Sequence, residues 1–334
     1  MRLYRGPCHY GRELPELPFG FKELFTRGII AVQRKLRTHI VFERVGTDAA
    51  DTLIAGLESG KPFFAARFGT GELEATVRGF DIRAPNRCCR KIFHLLSGRS
   101  GPFWWDNSIK AGLNNNAGFF PPTNEALQRF SDLVVRDAQQ INVLGAYADM
   151  PQYFLKEALP QATLIPISDL EPFWNTPCWT RCLRGKKVLV IHSMPDTIKA
   201  QYAKRDKLFT NPDILPDFEL TAYRSVNSAM GIKTEFPDWF SALKKMENDI
   251  GQIEFDIALL GCGAYGMNLG AFIKRDLKKT ALHLGGLTQL LFGIKGRRWE
   301  SVPKYNALFS ESWTRPLAHE IPLASRRIED GCYW

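Results

Sequence analysis

A strand, a glycine turn and a helix in succession constrain the fold of this chain more than any other feature. The apolar run from Phe255 to Leu260 predicts a buried parallel strand, and it ends in Gly261-Cys262-Gly263-Ala264-Tyr265-Gly266, a complete G-x-G-x-x-G. A helix-compatible segment, Ala264 to Lys278, and a second apolar strand, Thr280 to Leu284, follow. This context predicts a phosphate site, because glycines let the backbone approach an anion and a helix N-terminus offers free N–H groups.

The same alternation of apolar runs and helical segments recurs along the chain. Further strands are predicted at Phe63 to Phe68, Ile141 to Tyr147, Ala162 to Ile167, Val188 to Ile191 and Glu219 to Tyr223. Repeated strand–helix alternation is typical of a mostly parallel sheet with helices on both faces. We therefore predict an α/β, Rossmann-like fold.

The chain divides into three parts on the same reasoning. Residues 1–58 are predicted to form an N-terminal arm and helices packed on the core. These include a basic amphipathic helix from Phe19 to Val45 and a second helix from Thr47 to Leu57. Residues 59–300 hold the Rossmann-like domain. Within it, the basic and aromatic stretch 81–118 predicts a lid or an acceptor-facing insertion that closes as a loop. Residues 301–334 predict a tail that docks on the body.

Charge and cysteine content limit the class of protein. The net charge of +9 implies an anionic partner, namely nucleotide phosphates, a membrane surface or nucleic acid. Nucleic acid is disfavoured because no DNA- or RNA-binding motif is present. The basic N-terminal helix is compatible with packing on the core and with lying on an anionic membrane. Seven cysteines, no signal peptide and no membrane-spanning run predict a cytoplasmic protein, with peripheral contact at the inner membrane as the alternative.

The glycine motif alone does not identify a dinucleotide site. Such a site needs an acidic residue about 20 positions after the first glycine to bind the ribose. Here that neighbourhood is Ala281-Leu282-His283-Leu284-Gly285-Gly286, which holds no carboxylate. An NAD-dependent oxidoreductase is therefore disfavoured. The basic residues that follow, from Lys295 to Arg298, suit a diphosphate or a solvated turn. No P-loop and no G-x-S-x-G motif appears.

A second strand end carries chemistry-bearing residues. Arg67 closes the run Phe63 to Phe68, directly before Gly69-Thr70-Gly71-Glu72. Ligands of open α/β sheets bind at the carboxyl ends of the strands, so Arg67 is a candidate anion clamp. Glu72 lies in the first turn of a predicted helix, where a carboxylate also simply complements the helix dipole. His192 ends another strand and is a candidate ligand contact or a structural histidine.

The segment Arg67-Phe68-Gly69-Thr70-Gly71-Glu72 resembles the R-F-G-D-G-E motif of the GT-D-type bacterial glycosyltransferases, which have a Rossmann-like fold. The segment from Gly261 to Gly286 resembles the nucleotide-side segment of the same family. Residues Phe255 to Trp299, the stretch HSMPDTIKAQY from His192 and the terminal GCYW resemble proteins from bacterial surface-polysaccharide clusters.

The resemblance implies a glycosyltransferase that moves a sugar from a nucleotide diphosphate, as in a UDP-sugar, to a glycan or glycolipid acceptor in surface polysaccharide biosynthesis. Nucleotide or phosphate binding is then expected of Arg67, Gly69, Thr70, Gly261, Gly263, Gly266, His283, Lys295 and Arg297. Candidates for the catalytic base are Glu72, His192, Asp196 and His283. The family's Asp-x-Glu serves a divalent cation, which implies Mn²⁺ or Mg²⁺ at Glu72.

One position departs from the family motif. Thr70 stands where the family has Asp, and a hydroxyl cannot supply the charge of a carboxylate to a cation. The departure puts the metal and the activity in question. It also keeps open a second hypothesis, a nucleotide- or glycan-binding accessory protein that has lost catalysis.

Overall fold

The computed structural model of the protein describes residues 40–83, 95, 102 and 104–322. Its centre is one sheet of seven parallel strands, which confirms the predicted α/β, Rossmann-like fold. The strands are β1 (Phe64–Arg67), β2 (Val143–Ala146), β3 (Thr163–Pro166), β4 (Lys187–His192), β5 (Glu219–Arg224), β6 (Ile257–Gly261) and β7 (Thr280–His283). All seven coincide with predicted apolar runs to within about two residues.

The order of the strands across the sheet is β3-β2-β1-β7-β6-β4-β5. The last strand of the chain therefore lies at the centre, between β1 and β6. Ala65 pairs with both Val143 of β2 and Leu282 of β7, and Leu259 of β6 pairs with Leu282 from the other side. The predicted unit of strand, glycine turn, helix and strand is thus β6 to β7, and it forms the middle of the sheet.

Eleven α-helices of four residues or more lie in the described part of the chain. They are α1 (Thr47–Glu58), α2 (Thr70–Arg83), α3 (Asn107–Ala117), α4 (Asn124–Ala138), α5 (Gln152–Ala158), α6 (Pro195–Tyr202), α7 (Trp239–Ile250), α8 (Gly266–Arg275), α9 (Leu287–Leu291), α10 (Arg297–Glu300) and α11 (Pro303–Asn306). None of these helices combines the length and the apolar character that crossing a bilayer requires.

The helices form two layers, one on each face of the sheet. Helices α2 to α5, α7 and α8 pack on the first face, whereas α1, α6 and α9 to α11 pack on the second. Successive strand residues point to opposite faces, so Leu189 and Ile191 of β4 join the first core while Val188 and Val190 join the second. Burial on both faces explains why the strands appear in the sequence as continuous apolar runs.

The loops at the carboxyl ends of the central strands alternate between the two layers. The chain leaves β1 and β6 toward the first layer, through α2 and α8, and leaves β7 and β4 toward the second, through α9 and α6. In sheet order the direction reverses at every strand from β1 to β4. Loops that diverge from adjacent strands leave a crevice between them, which is where open α/β sheets bind ligands.

Two predicted segments differ from the structure. Residues 107–117, expected to belong to a loop, form helix α3, because Asp106 caps its first turn through Ile109 N–H and Gly118 ends it in the left-handed region at φ 77°. Residues 40–45, expected to end the basic amphipathic helix, are not helical. The rest of that helix, residues 84–94, 96–101 and 103 of the predicted insertion, and the terminal GCYW lie outside the described residues.

The described part of the C-terminal tail, residues 301–322, contacts the body at three places. Thr314 bridges to Ile294 beside the sheet, and Trp313 Nε1 donates a hydrogen bond to the Leu208 carbonyl. Further on, Glu320 is buried against the first turn of α6. The tail therefore covers the helix that follows β4.

Candidate functional site

A cleft of about 160 Å³ lies over the carboxyl ends of β1, β7, β6 and β4, where the loops diverge. It is lined by eight of the predicted site residues, which come from four separate strand ends: Arg67, Gly69, Thr70, Glu72, His192, Gly261, Gly263 and His283. The structure thus brings together positions that are up to 216 residues apart in the sequence, between Arg67 and His283. Asp196, Gly266, Lys295 and Arg297 do not line the cleft.

The glycines after β6 make room for side chains of the cleft. A Cβ at Gly261 would lie 2.6 Å from Cδ2 of His192, and a Cβ at Gly266 would lie 2.1 Å from Cε1 of His283. Gly263 has φ 56°, and a Cβ there would lie 2.9 Å from the Ala117 carbonyl oxygen. The spacing of the motif is therefore explained by two imidazoles and one left-handed turn, independently of any phosphate.

His192 is a buried, neutral hydrogen-bond donor at the end of β4. Its Nδ1 accepts a hydrogen bond of 3.1 Å from Met194 N–H, which leaves the ring proton on Nε2. Burial lowers the pKa of His192 to about 4, against a smaller opposite effect of the Glu320 charge. At neutral pH this side chain can therefore donate a hydrogen bond but does not carry charge.

His283, at the end of β7, is also neutral and buried. Burial, together with the charge of Arg67, lowers the pKa of His283 to about 3. Its Nδ1 lies 3.4 Å from the Leu260 carbonyl oxygen, so the proton is on Nδ1 and Nε2 can accept a hydrogen bond. The two imidazoles of the cleft thus present opposite hydrogen-bonding groups, a donor on His192 and an acceptor on His283.

Arg67 supplies positive charge at the end of β1. Its guanidinium donates a hydrogen bond to the hydroxyl of Tyr147, which follows β2, and lies 5.7 Å from the centroid of that ring. It also passes over Gly285, where a Cβ would lie 2.7 Å from Nη1. Arg67 is therefore held across the ends of β2, β1 and β7, with its charge directed into a cleft that also contains two neutral histidines.

Glu72 has a local structural role as well as a place in the cleft. It is the third residue of α2, and its carboxylate lies over Gly69, where a Cβ would meet Oε2 at 1.9 Å. This is the position of the glutamate in a capping box. Thr70, the first residue of α2, is exposed and lines the same cleft. The arrangement places one carboxylate and one hydroxyl at a helix N-terminus.

The structure distinguishes between the basic residues predicted at 295–298 and adds cleft residues that the sequence did not indicate. Of the two arginines that begin α10, Arg298 lines the cleft and Arg297 does not, while the Lys295 ammonium lies 5.5 Å from the centroid of the Phe309 ring. The loop after β5 contributes Ser225 to Ala229, and the end of α3 contributes Asn116 to Gly118. Which residues of these short elements line the cleft depends on how each element is oriented in the fold. No sequence pattern indicates that orientation.

Asp196, a predicted base, belongs to a separate cluster at the start of α6. Its carboxylate receives hydrogen bonds from Arg224, at 2.6 Å, and His319, at 3.1 Å. Beside it, the Glu320 carboxylate accepts from the N–H groups of Asp196 and Thr197, both at 2.9 Å, and from Arg224. Asp196, His319 and Glu320 could together reach one cation, but the Arg224 guanidinium already neutralises both carboxylates. The cluster is a helix cap.

The cleft does not fit the divalent cation that the resemblance implies. Mg²⁺ and Mn²⁺ prefer several oxygen ligands, and Glu72 is the only carboxylate among the described residues that line the cleft. The N-termini of α2 and α8 and the guanidinium groups of Arg67 and Arg298 surround that carboxylate with positive potential. These groups favour an anion in the cleft.

Comparisons with models of protein families, with curated protein sequences and with solved structures gave no match for this chain.

Proposed function

We propose that the protein is a glycosyltransferase that uses a nucleoside-diphosphate sugar, with UDP as the nucleotide that the resemblance implies. The observation that carries the proposal is the convergence of Arg67, Arg298, the glycine turn after β6 and two neutral imidazoles at the carboxyl edge of a parallel sheet. A diphosphate is the common biological ligand with the charge and the acceptor oxygens to match the two guanidinium groups and the Nε2–H donor of His192.

In this proposal the diphosphate is bound by two positive charges, by one neutral side-chain donor and by a helix dipole. Arg67 and Arg298 supply the charges, since both line the cleft. Nε2–H of His192 donates a further hydrogen bond, and the first turn of α8 adds its backbone dipole. These groups stabilise the leaving diphosphate, which gains negative charge as its bond to the sugar breaks.

Transfer then requires a base for the acceptor. The acceptor hydroxyl oxygen forms a bond to the anomeric carbon, while the bond from that carbon to the phosphate oxygen breaks and its electron pair leaves with the nucleoside diphosphate. Glu72 takes the hydroxyl proton, because it is the only carboxylate among the described cleft residues. His192 and His283 have pKa values of about 4 and about 3, so they remain hydrogen-bonding groups and not proton acceptors at neutral pH.

Thermal unfolding of the full chain with UDP tests the binding part of the proposal. UDP should raise the melting temperature, and Arg67→Ala or Arg298→Ala should weaken binding about 10- to 100-fold, because a charge-assisted hydrogen bond contributes about 1.5–3 kcal/mol. Arg297→Ala is the matched control, since it removes the same charge from the neighbouring position outside the cleft. Equal effects of Arg297→Ala and Arg298→Ala, or no effect of UDP, would reject this site.

A second function, a nucleotide-binding accessory protein without catalysis, is favoured by two observations. Thr70 replaces the family's Asp, and the Glu72 carboxylate lies over Gly69 in a capping position. The two functions differ in turnover. Release of UDP from UDP-sugars by the wild-type protein supports the transferase, whereas release only by the Thr70→Asp variant, and only with Mn²⁺, supports the accessory protein.

A further inference from the structure

The cleft follows the edge of the sheet across six adjacent strands, from β2 to β5 in sheet order. Each of these strands contributes its last residue or the residue directly after it. In sheet order these residues are Tyr147, Arg67, His283, Gly261, His192 and Ser225. Neighbouring strands lie about 4.8 Å apart, so the lining of the cleft extends over roughly 24 Å. A diphosphate fills only part of that length.

The charged side chains of the cleft belong to one half of it. Among the described residues that line the cleft they are Arg67, Glu72 and Arg298. Arg67 ends β1, and Glu72 lies in the first turn of the helix after β1. Arg298 belongs to α10, which follows β7 and α9 in the chain, and it lies near Tyr305, whose hydroxyl donates to Glu171 just after β3. We call the part of the cleft over β2, β1 and β7 the charged half.

The part over β6, β4 and β5 has a different lining, and we call it the neutral half. It is formed by the end of α3 and by the segments that follow these three strands, with Asn116–Gly118, Ser193, Met194, Ser225–Ala229 and Gly263 as its main residues. These segments contact one another. The Ser228 hydroxyl donates to the Gly118 carbonyl at 2.5 Å, and a Cβ at Gly263 would lie 2.9 Å from the Ala117 carbonyl oxygen.

Positive charge near the neutral half is used elsewhere. Arg224 ends β5 but does not line the cleft, since its guanidinium donates to Asp196 at 2.6 Å and to Glu320 at 3.1 Å. His192 is uncharged at neutral pH because its pKa is about 4. Within the described part of the chain, the neutral half therefore offers no cation, and a carboxylate or phosphate placed there would lose hydration without gaining a charged partner.

The neutral half combines hydrogen-bonding groups with small apolar surfaces. Asn116 and Asn227 present carboxamides, each of which can both donate and accept, and Ser225 adds a hydroxyl. Met194 and Val226 lie beside them. An uncharged sugar ring matches this combination, because its hydroxyls both donate and accept and its C–H groups form apolar faces.

A nucleobase matches the neutral half less well. Bases bind by stacking on an aromatic face as well as by hydrogen bonds. The aromatic side chains among the described cleft residues are Tyr147 and Tyr265. The Tyr265 ring is stacked on Trp239, with centroids 5.0 Å apart, and is only 1% exposed, so it offers no face to a ligand. Tyr147, which is partly exposed, belongs to the charged half.

We propose that the neutral half of the cleft binds an uncharged sugar ring through the carboxamides of Asn116 and Asn227, next to a diphosphate bound in the charged half. The identity of the diphosphate rests on the proposed function. The sugar is the one carried by the donor nucleotide or the terminal sugar of the acceptor, which have the same chemistry. In either case the site selects neutral hexoses over hexuronic acids.

Calorimetric titration of the full-length protein with UDP, UDP-glucose and UDP-glucuronate tests the donor as the source of the sugar. UDP-glucose should bind about tenfold more tightly than UDP, and UDP-glucuronate no more tightly than UDP. Asn227→Ala and Asn116→Ala should each weaken UDP-glucose binding about three- to tenfold and leave UDP binding within about twofold of wild type. Asn115→Ala is the matched control, because this neighbouring asparagine does not line the cleft.

The two variants differ in their effect on the fold. Asn227 Oδ1 accepts a hydrogen bond of 3.3 Å from Ala229 N–H, so Asn227→Ala also removes a contact within the loop. Asn116 is exposed near the end of α3, and its carboxamide bonds to no group in the described part of the chain. Asn116→Ala therefore decides the test if Asn227→Ala does not fold by circular dichroism.

Titration with methyl glucoside, with and without saturating UDP, tests the acceptor as the source. If UDP-glucose binds no more tightly than UDP, methyl glucoside should bind the UDP complex, and Asn116→Ala should weaken that binding. Three results would overturn the proposal: sugar binding by neither route, tighter binding of UDP-glucuronate than of UDP-glucose, or loss of UDP binding itself in both asparagine variants, which would place the nucleoside in the neutral half. Methyl glucoside binding that needs Asn116 in a protein that does not bind UDP would keep the sugar site and reject the nucleotide site.

Discussion

The imidazole of His283 occupies the space next to Gly266 that any other residue would need for its own side chain. A Cβ at position 266 would lie 2.1 Å from Cε1 and 2.2 Å from Nδ1 of that ring. The ring cannot move away freely, because it is buried in the sheet at the end of β7, next to β6, and the Arg67 guanidinium lies close to it. This contact relates the last glycine of the sequence motif to the strand that closes the sheet.

Replacing that glycine should destabilise the fold. Gly266→Ala forces the His283 ring out of place, and overpacking of this kind costs about 1–3 kcal/mol. Gly112→Ala in α3 is the control, since a Cβ there meets no atom within 4 Å, and the higher helix propensity of alanine should stabilise it by about 0.5–1 kcal/mol. Urea unfolding monitored by tryptophan fluorescence measures both. A Gly266→Ala protein as stable as wild type would contradict the contact.

The free energy of unfolding should fall as the pH is lowered from the ordinary pKa of histidine toward the pKa values that His192 and His283 have in the folded protein. The folded-state pKa values of His192 and His283 are about 4 and about 3, below the usual 6.5. Above pH 6.5 neither state takes up the proton and the full stability is present. Below it only the unfolded state does, so each histidine costs up to about 1.4 kcal/mol per pH unit until its folded-state pKa is reached.

Urea unfolding at pH 7 and at pH 5 measures this dependence. His192→Gln should lose less stability between the two pH values than wild type does, whatever its stability at pH 7. His319→Gln is the matched control, because the His319 side chain is 61% exposed. An unchanged slope for His192→Gln would contradict a neutral buried imidazole at that position.

The tail should contribute to stability through Glu320. Removing its carboxylate in Glu320→Ala leaves the N–H groups of Asp196 and Thr197 without their partner and should cost about 2 kcal/mol. Asp196→Asn should change stability by about 0.5 kcal/mol or less, because the Asp196 side chain is 42% exposed. It should also leave turnover unaffected, since Asp196 does not line the cleft. Thermal unfolding and UDP release from UDP-sugars measure the two effects, and an inactive Asp196→Asn would return Asp196 to the reaction.

On the proposed function, substitution of Glu72 should reduce sugar transfer and leave UDP binding intact. Glu72→Gln keeps the size of the side chain but cannot take a proton, so sugar transfer should fall about 100-fold or more while UDP binding persists. Glu74→Gln, an exposed position in the same helix that does not line the cleft, is the control and should keep full activity. Retained transfer in Glu72→Gln would exclude it as the base.

The sequence predicts the elements of this fold well because each buried parallel strand corresponds to a short, continuous apolar segment. It predicts neither the order of the strands in the sheet nor which residues that order brings into contact. The position of β7 between β1 and β6 depends on pairing between residues such as Phe64 and Ala281, which no local pattern records. The sequence does not predict helix α3, because its asparagines are typical of loops, although Asp106 and Gly118 are ordinary cap residues.

The same limit applies to the site. Arg67 and His192 could be found because each ends a strand, and Glu72 because it lies in the first turn of the helix after β1; strand ends share one edge of the sheet. The choice of Arg298 over Arg297 depends on the orientation of a helix of four residues. The close contact of Gly261 with His192 depends on the neighbouring positions of β6 and β4, which the chain separates by strand β5 and helices α6 and α7.

The central position of β7 also decides when the protein can finish folding during synthesis. The strands β3-β2-β1 and the strands β6-β4-β5 are joined only through β7, which spans Thr280–His283. A nascent chain that ends before Thr280 therefore holds two half-sheets, each with an open edge at β1 or β6 that invites pairing with other chains. The ribosome must therefore deliver the chain as far as His283 before those two edges can be joined.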